Sequence, residues 1–223
     1  MVIFRREEMK SLDKMNKVND YLIGFWKIIY LNGLWLVFSL LGLGIFGVGP
    51  ATYAVTKYCF RWLHFKEEPA VFQSIWKYYK EAFKQSVLVS WVLIAIFTIL
   101  IVNLFNVTEW YFQVANIFMF VMAIVGGTHI YNVMVALRFK NLREITRASL
   151  MMGIGYLHYT IILWTILIGT YYVLSSIYPS LLFLFGTGFT IFLITFVGNV
   201  IVKDFEEEPQ EDEEIKKIYS KES

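Results

Sequence analysis

The sequence predicts an all-α, polytopic transmembrane helical bundle of five or six membrane helices, with two basic amphipathic helices at the interface. Three observations carry this. Of the 223 residues 57% are hydrophobic and only 17% charged, with a mean hydropathy of +0.56; soluble domains carry about 45–50% apolar and about 25% charged residues. The apolar residues also come in runs nearly free of charge, at 40–48, 87–101, 117–125 and 181–202. A span needs roughly 20 such residues, because the hydrocarbon core is about 30 Å thick. Finally, lysine and arginine cluster in three places: six in 1–27, six in 51–84 and four in 138–155, with none in 104–110 or 177–181. By the positive-inside rule the three basic segments face the cytoplasm and the two short uncharged turns face outside.

Residues 1–20 read as a polar cytoplasmic lead, and 21–203 as the transmembrane domain. The first apolar segment, 21–48, contains Lys27 and Asn32 and is too long for the core of a secretory signal, so it reads as uncleaved. It ends in GLGIFGVGP, residues 42–50, and a shorter helix follows over 51–65 with Lys57, Arg61 and His64. Crossing once here would place one basic segment outside. A hairpin or re-entrant element that turns at the glycines keeps both on one side; five spans with the N-terminus outside is the competing arrangement.

Glu67-Glu68-Pro69 leads into an amphipathic stretch over 70–86. Phe72, Ile75, Trp76, Tyr79 and Phe83 share one arc, and Lys77, Lys80, Glu81 and Lys84 the other, as suits a helix in the membrane surface. Spans are expected at 86–107 and 110–137, joined by a very short loop. A second basic helix follows, with Leu142, Ile145, Ala148 and Met152 opposite Lys140, Arg143, Glu144 and Arg147. A last pair of spans, 156–178 and 181–202, turns at Pro179-Ser180. Residues 204–223 form an acidic tail too poor in apolar surface to order itself, and are expected to be disordered. Residues 70–137 and 139–202 thus echo each other: amphipathic helix, then hairpin.

Gly42, Gly44 and Gly47 spell G-x-G-x-x-G, the dinucleotide-binding string, with Glu67 near the place of a ribose-binding acid. That string works only between a strand and a helix within a βαβ unit. Here apolar helical sequence precedes it, and no second strand follows. With Pro50 the glycines serve a turn instead: glycine tolerates positive φ, and proline suits the first turn of a new helix.

The candidate intramembrane polar residues are Asn32, Asn103, Asn116, His129 and Asn132. They could line a polar path, although interhelical hydrogen bonding explains such groups more simply. Cys59 is the one cysteine and reads as a small packing residue; His64 and His158 lie at segment ends. No catalytic motif, metal-ligand spacing, cofactor signature or nucleic-acid-binding pattern stands out. The long spans carry no Asp or Glu, which argues against an ion-coupled carrier.

Asn32, Trp35, Gly42, Gly44, Gly47, Pro50, Ala51, Thr52, Phe72, Trp76, Phe83 and Lys84 together resemble the YesL-type family of uncharacterised bacterial membrane proteins (domain of unknown function 624). Asn141, Arg147, Ala148 and Leu150 resemble the family's middle motif. The resemblance implies a multi-span protein encoded beside carbohydrate uptake systems. The expectation is therefore a non-enzymatic accessory or interaction protein of the bacterial inner (cell) membrane, both termini cytoplasmic, partnered by a carbohydrate uptake system or its regulator. The alternative is a small passive transporter or channel for a polar solute. A further expectation is that the basic faces (Lys77, Lys80, Lys84; Lys140, Arg143, Arg147) attract anionic lipid.

Overall fold

The computed structural model describes the backbone of residues 2–137, 139 and 141–221, and the side chains of residues 19, 22–137, 139 and 141–205. Among these residues every regular element is a helix: α1 (Val2–Leu41), α2 (Val48–His64), α3 (Val71–Glu81), α4 (Phe83–Asn106), α5 (Trp110–Ala136), α6 (Leu142–Gly155), α7 (Leu157–Ile177) and α8 (Pro179–Lys221). Five stretches among them are long and apolar enough to cross a bilayer: Leu22–Leu41, Phe83–Asn106, Trp110–Ala136, Leu157–Ile177 and Pro179–Phe205. The chain is an α-helical membrane bundle. Beyond Phe205 the side chains of the acidic tail lie outside the described residues.

The first two helices form a hairpin. The Trp35 indole donates to the Thr52 hydroxyl at 3.0 Å near the turn, and at the other end Lys27 sits 4.3 Å above the Trp62 ring. The turn is built from backbone. Gly44 N–H bonds to Ser39 C=O and Leu43 N–H to Leu40 C=O, both at 2.9 Å, which closes α1 with a Schellman motif. Leu43 and Gly44 both have positive φ, 57° and 72°. A Cβ on Gly47 would collide with the Ser39 carbonyl, so the returning chain comes as close as glycine permits. Pro50 lies in the first turn of α2, where no helical carbonyl awaits its missing N–H.

The returning helix is the core of the molecule. Gly49–Phe60 of α2 is buried except at Thr52, held between α1, α3, α4, α5 and α8. Gly49 rests on the Ser86 carbonyl and Ser90 side chain of α4, while Tyr53 and Phe60 pack with Val89, Ile130 and Val133. These partners lie in the first half of α4 and the last half of α5. Burial follows the same gradient: α4 buries only Ser86, Val89 and Ser90, and α5 buries mainly residues 125–135. The opposite ends carry exposed aromatics at Trp110, Tyr111, Tyr172 and Tyr178, the pattern of a membrane–water interface.

The first amphipathic helix is shorter than its sequence pattern. α3 stops at Glu81, Ala82 breaks it, and Phe83 and Lys84 belong to α4. Periodicity continued across the break because one residue at φ −113°, ψ 21° barely displaces the apolar arc. Ile75 and Tyr79 are buried as the arc predicts, joined by Tyr78, while Phe72 and Trp76 stay exposed. α6 buries Ile145, Ser149, Met152 and Gly153 against α5 and follows its predicted face. Lys77, Lys80, Lys84, Arg143 and Arg147 are exposed; Lys140 lies outside the described residues.

Leu43→Gly should raise thermal stability in detergent by about 1 kcal/mol, the cost of a left-handed conformation for an L side chain. Gly47→Ala should lower the melting temperature, because the added methyl has no room. A melt comparison in which Leu43→Gly destabilises would contradict the turn geometry.

Candidate functional site

Five helices meet α8 or α5 through buried polar side chains, and two of these contacts share one design. The Asn32 side chain, 3% exposed on α1, accepts from Gly188 N–H at 2.9 Å and donates to Leu184 C=O at 2.8 Å and to Phe183 C=O at 3.0 Å. Leu184 and Gly188 are the two partners of one rung of the α8 ladder, so the amide bridges that rung. Gly188 makes this possible, since a Cβ there would sit 2.7 Å from Asn32 Cβ. On α5, Asn132 donates to Ile194 C=O at 2.9 Å, and its amide fills the space where Gly198 has no Cβ. Ile194 stands four residues before Gly198, as Leu184 does before Gly188. The two sites are ten residues apart, which at 100° per residue turns them toward different neighbours, α1 and α5.

The remaining predicted polar residues serve other seams. Asn116 donates to Leu100 C=O at 2.9 Å and joins α5 to α4. His129, fully buried, meets the Thr160 hydroxyl of α7 through Nε2 at 2.9 Å. Asn103 is exposed on α4. His129 and Asn132 are thus neighbours on one helix, but the five residues form no single cluster. His129 Nδ1 and Asn132 Oδ1 are both buried without a hydrogen-bond partner.

A second layer of polar contacts surrounds α2 and was not singled out from sequence. Lys57, 8% exposed, points into protein and pairs with Glu81 at 2.6 and 2.7 Å, its ammonium 4.8 Å from the Tyr78 ring. Lys27 bonds Glu68 at 2.8 Å, and Arg61 pairs with Glu67. His64 Nδ1 meets Asn199 Oδ1 at 2.8 Å and ties the end of α2 to α8. The available signal was chemical: three cations in or beside a helix too short to be a lipid-facing span, followed by Glu67 and Glu68 in the next connection and Glu81 at the end of α3.

Between α1, α2, α4, α5, α7 and α8 lies a cavity of about 510 Å³. Trp35 and Trp164 stand in its wall, each fixed by its indole N–H. Trp35 donates to Thr52, whose hydroxyl donates to Val48 C=O; Trp164 donates to Thr128, whose hydroxyl donates to Ile124 C=O. None of the lining residues is charged. Among the described residues, no group of three or more His, Cys, Asp or Glu is placed to hold a metal ion.

This arrangement defines a multi-pass α-helical membrane protein whose buried polar groups chiefly join helix to helix. Residues 28–104 match the family described as "Protein of unknown function, DUF624". The chain is 27% identical to the Uncharacterized protein YteU of Bacillus subtilis (strain 168) over 218 residues, which cover 94% of this chain and 96% of that protein. Over 71 residues it is 32% identical to the Uncharacterized protein YesL of the same organism, covering 32% of this chain and 34% of YesL. A third relative there, the Uncharacterized protein YesV, is 40% identical over 57 residues, 26% of this chain and 27% of YesV. Over the first half of its length the chain is thus similar to the YesL-type DUF624 proteins. No solved structure matches it. The family segment takes in most of the apolar part of α1, the glycine turn, α2, α3 and nearly all of α4.

Two outcomes follow from these contacts. Asn32→Leu should lower stability by about 1–3 kcal/mol, because the α8 rung loses its bridging amide while the close approach remains; a melt unchanged from the parent would refute the bridge. The Lys27 ammonium holds the Glu68 carboxyl below its ordinary value of 4.5 through a hydrogen bond and its charge. A depressed carboxyl stabilises above its unfolded value and loses that contribution as pH falls through its folded one. The melting-temperature gap between the parent and Glu68→Gln should therefore be present at neutral pH and close below about pH 4. It should be small, since the Glu68 side chain is 63% exposed.

Proposed function

We propose that the protein is a non-enzymatic accessory of a membrane uptake system, acting by contact with its partner within the bilayer of the bacterial cell membrane. The observation that carries this is the use of the intramembrane amides. Asn32 and Asn116 are spent on neighbouring backbone, and Asn132 donates its amide to α8, so these groups pin helices. The outer halves of α4 and α5 present Ile99, Phe105, Phe112 and Phe118 outward, an apolar surface that suits lipid or another membrane subunit equally well in chemistry. The family resemblance supports carbohydrate as the class of that uptake system. The concentration of lysine and arginine over 51–84 and 138–155 favours both termini in the cytoplasm.

A second reading, a passive path for a small polar solute, is favoured by one observation: His129 Nδ1 and Asn132 Oδ1 are buried and unpartnered on adjacent turns of α5. Two measurements on the full chain separate the two. Affinity purification in mild detergent should recover membrane components of a carbohydrate uptake system or its regulator. Liposomes holding the pure protein should show no sugar flux above empty vesicles. Flux above that background, reduced by His129→Ala, together with a purification that brings down no such component, would replace the accessory role by transport.

A further inference from the structure

We infer that the cavity between the helices is a binding site for an uncharged, hydroxyl-bearing lipid, of the long-chain alcohol or diacylglycerol kind. Its volume of about 510 Å³ lies in the range of small-molecule sites, about 300–1,000 Å³. Five threonines line it: Thr52, Thr56, Thr128, Thr187 and Thr190. Three are committed to protein, since Thr52, Thr128 and Thr190 each donate to the carbonyl four residues back. Among the described residues, the Thr56 and Thr187 hydroxyls have no such bond and no other protein partner. A helical threonine can satisfy itself through that carbonyl, as the other three here do. Two that do not, in one apolar cavity, need a partner from outside the chain.

The chemistry of the wall selects among occupants. A phospholipid head would bring a phosphate into a space with no charged lining residue. A pyranose carries about four or five hydroxyls, and two free threonines would leave the others unpaired at about 1–3 kcal/mol each. A bare hydrocarbon would leave Thr56 and Thr187 unsatisfied. A lipid with one or two hydroxyls and no charge meets both conditions: its head pairs with the threonines and the chain nearest it covers the apolar wall. Trp35 and Trp164 keep fixed ring positions through their own hydrogen bonds, so the wall is formed before the ligand arrives. The Asn32–Gly188 contact fixes the backbone beside Thr187.

Both wall tryptophans make the site measurable. The full-length protein in phosphatidylcholine nanodiscs is titrated with diacylglycerol carrying brominated chains, and tryptophan quenching is compared with that from brominated phosphatidylcholine at equal bromine content. Binding predicts additional quenching that saturates at low mole fraction for diacylglycerol alone. Thr56→Val with Thr187→Val, nearly equal in volume, should raise the midpoint about ten-fold, equivalent to about 1.4 kcal/mol for two lost hydrogen bonds. Quenching that tracks total bromine whatever the head group would overturn the proposal and leave the hydroxyls to water. So would a double variant, folded by its melt, with an unmoved midpoint. Displacement of the brominated lipid by glycerol alone would assign the site to a soluble polyol and likewise overturn the lipid assignment. Should the double variant fail to fold, the head-group comparison on the parent decides.

Discussion

The amide of Asn32, set across a rung of the α8 backbone ladder, depends on a condition that governs the whole bundle. Within a bilayer no water stands ready for an unpaired N–H or C=O, so polar groups must be satisfied by protein. Asparagine supplies one donor group and one acceptor in a fixed plane, and Asn32 places both on the same turn of α8. That contact requires the two backbones to approach within the reach of a short side chain, and Gly188 allows it. Asn132 and Gly198 repeat the approach one neighbour around α8. Apolar packing alone drives membrane helices together weakly, because lipid tails are as apolar as leucine. Directional contacts of this kind give α8 a definite rotation against α1 and α5.

With α8 fixed, α2 can be a helix that lipid would not tolerate. It carries Lys57 inside the bundle and a half-exposed Arg61 near its end, yet both are paired, and Lys57 lies between tyrosine rings with its carboxylate partner at one end of α3. A buried ammonium without such a partner would face a penalty of several kcal/mol. The pairing also joins successive parts of the chain: Lys57 to the end of α3, Arg61 and Lys27 to the connection before it. The glycine turn, the short helix and the glutamates are one unit, and all of it falls within the family segment.

Much of this was legible in the sequence, for reasons that differ by element. Long apolar runs identified α4, α5, α7 and α8 because lipid-facing helices are apolar all round and length alone marks them. The hairpin of α1 and α2 followed from charge parity, and the turn at Gly42, Gly44 and Gly47 from the apolar helical sequence before it. Periodicity could not locate the break at Ala82, since a single non-helical residue scarcely alters the arc. The candidate polar residues were found as residue types, yet their partners were not. Asn32 and Gly188 are 156 residues apart, and what Asn32 touches is backbone, which a list of side chains cannot show. Lys57 is visible in the sequence as a cation within a short helix; that Glu81 receives it depends on how α3 folds back.

The internal echo gains a physical basis from the connections. α3 passes into α4 through Ala82 at φ −113°, ψ 21°, and α6 passes into α7 through Tyr156 at φ −113°, ψ 41°. Each amphipathic helix begins after a residue of extended ψ, 116° at Ala70 and 132° at Asn141, and each packs on the helix before it, α3 on α2 and α6 on α5. The chain is therefore three helical hairpins, α1–α2, α4–α5 and α7–α8, separated by two amphipathic helices of equivalent setting. The odd member is the first hairpin, whose second helix is too short and too charged to face lipid and is wrapped by its neighbours instead. That substitution opens the central cavity: α2 fills the half of the bundle nearest the basic segments, and the tryptophan–threonine pairs of α1–α2 and α7–α5 wall the space left beside it.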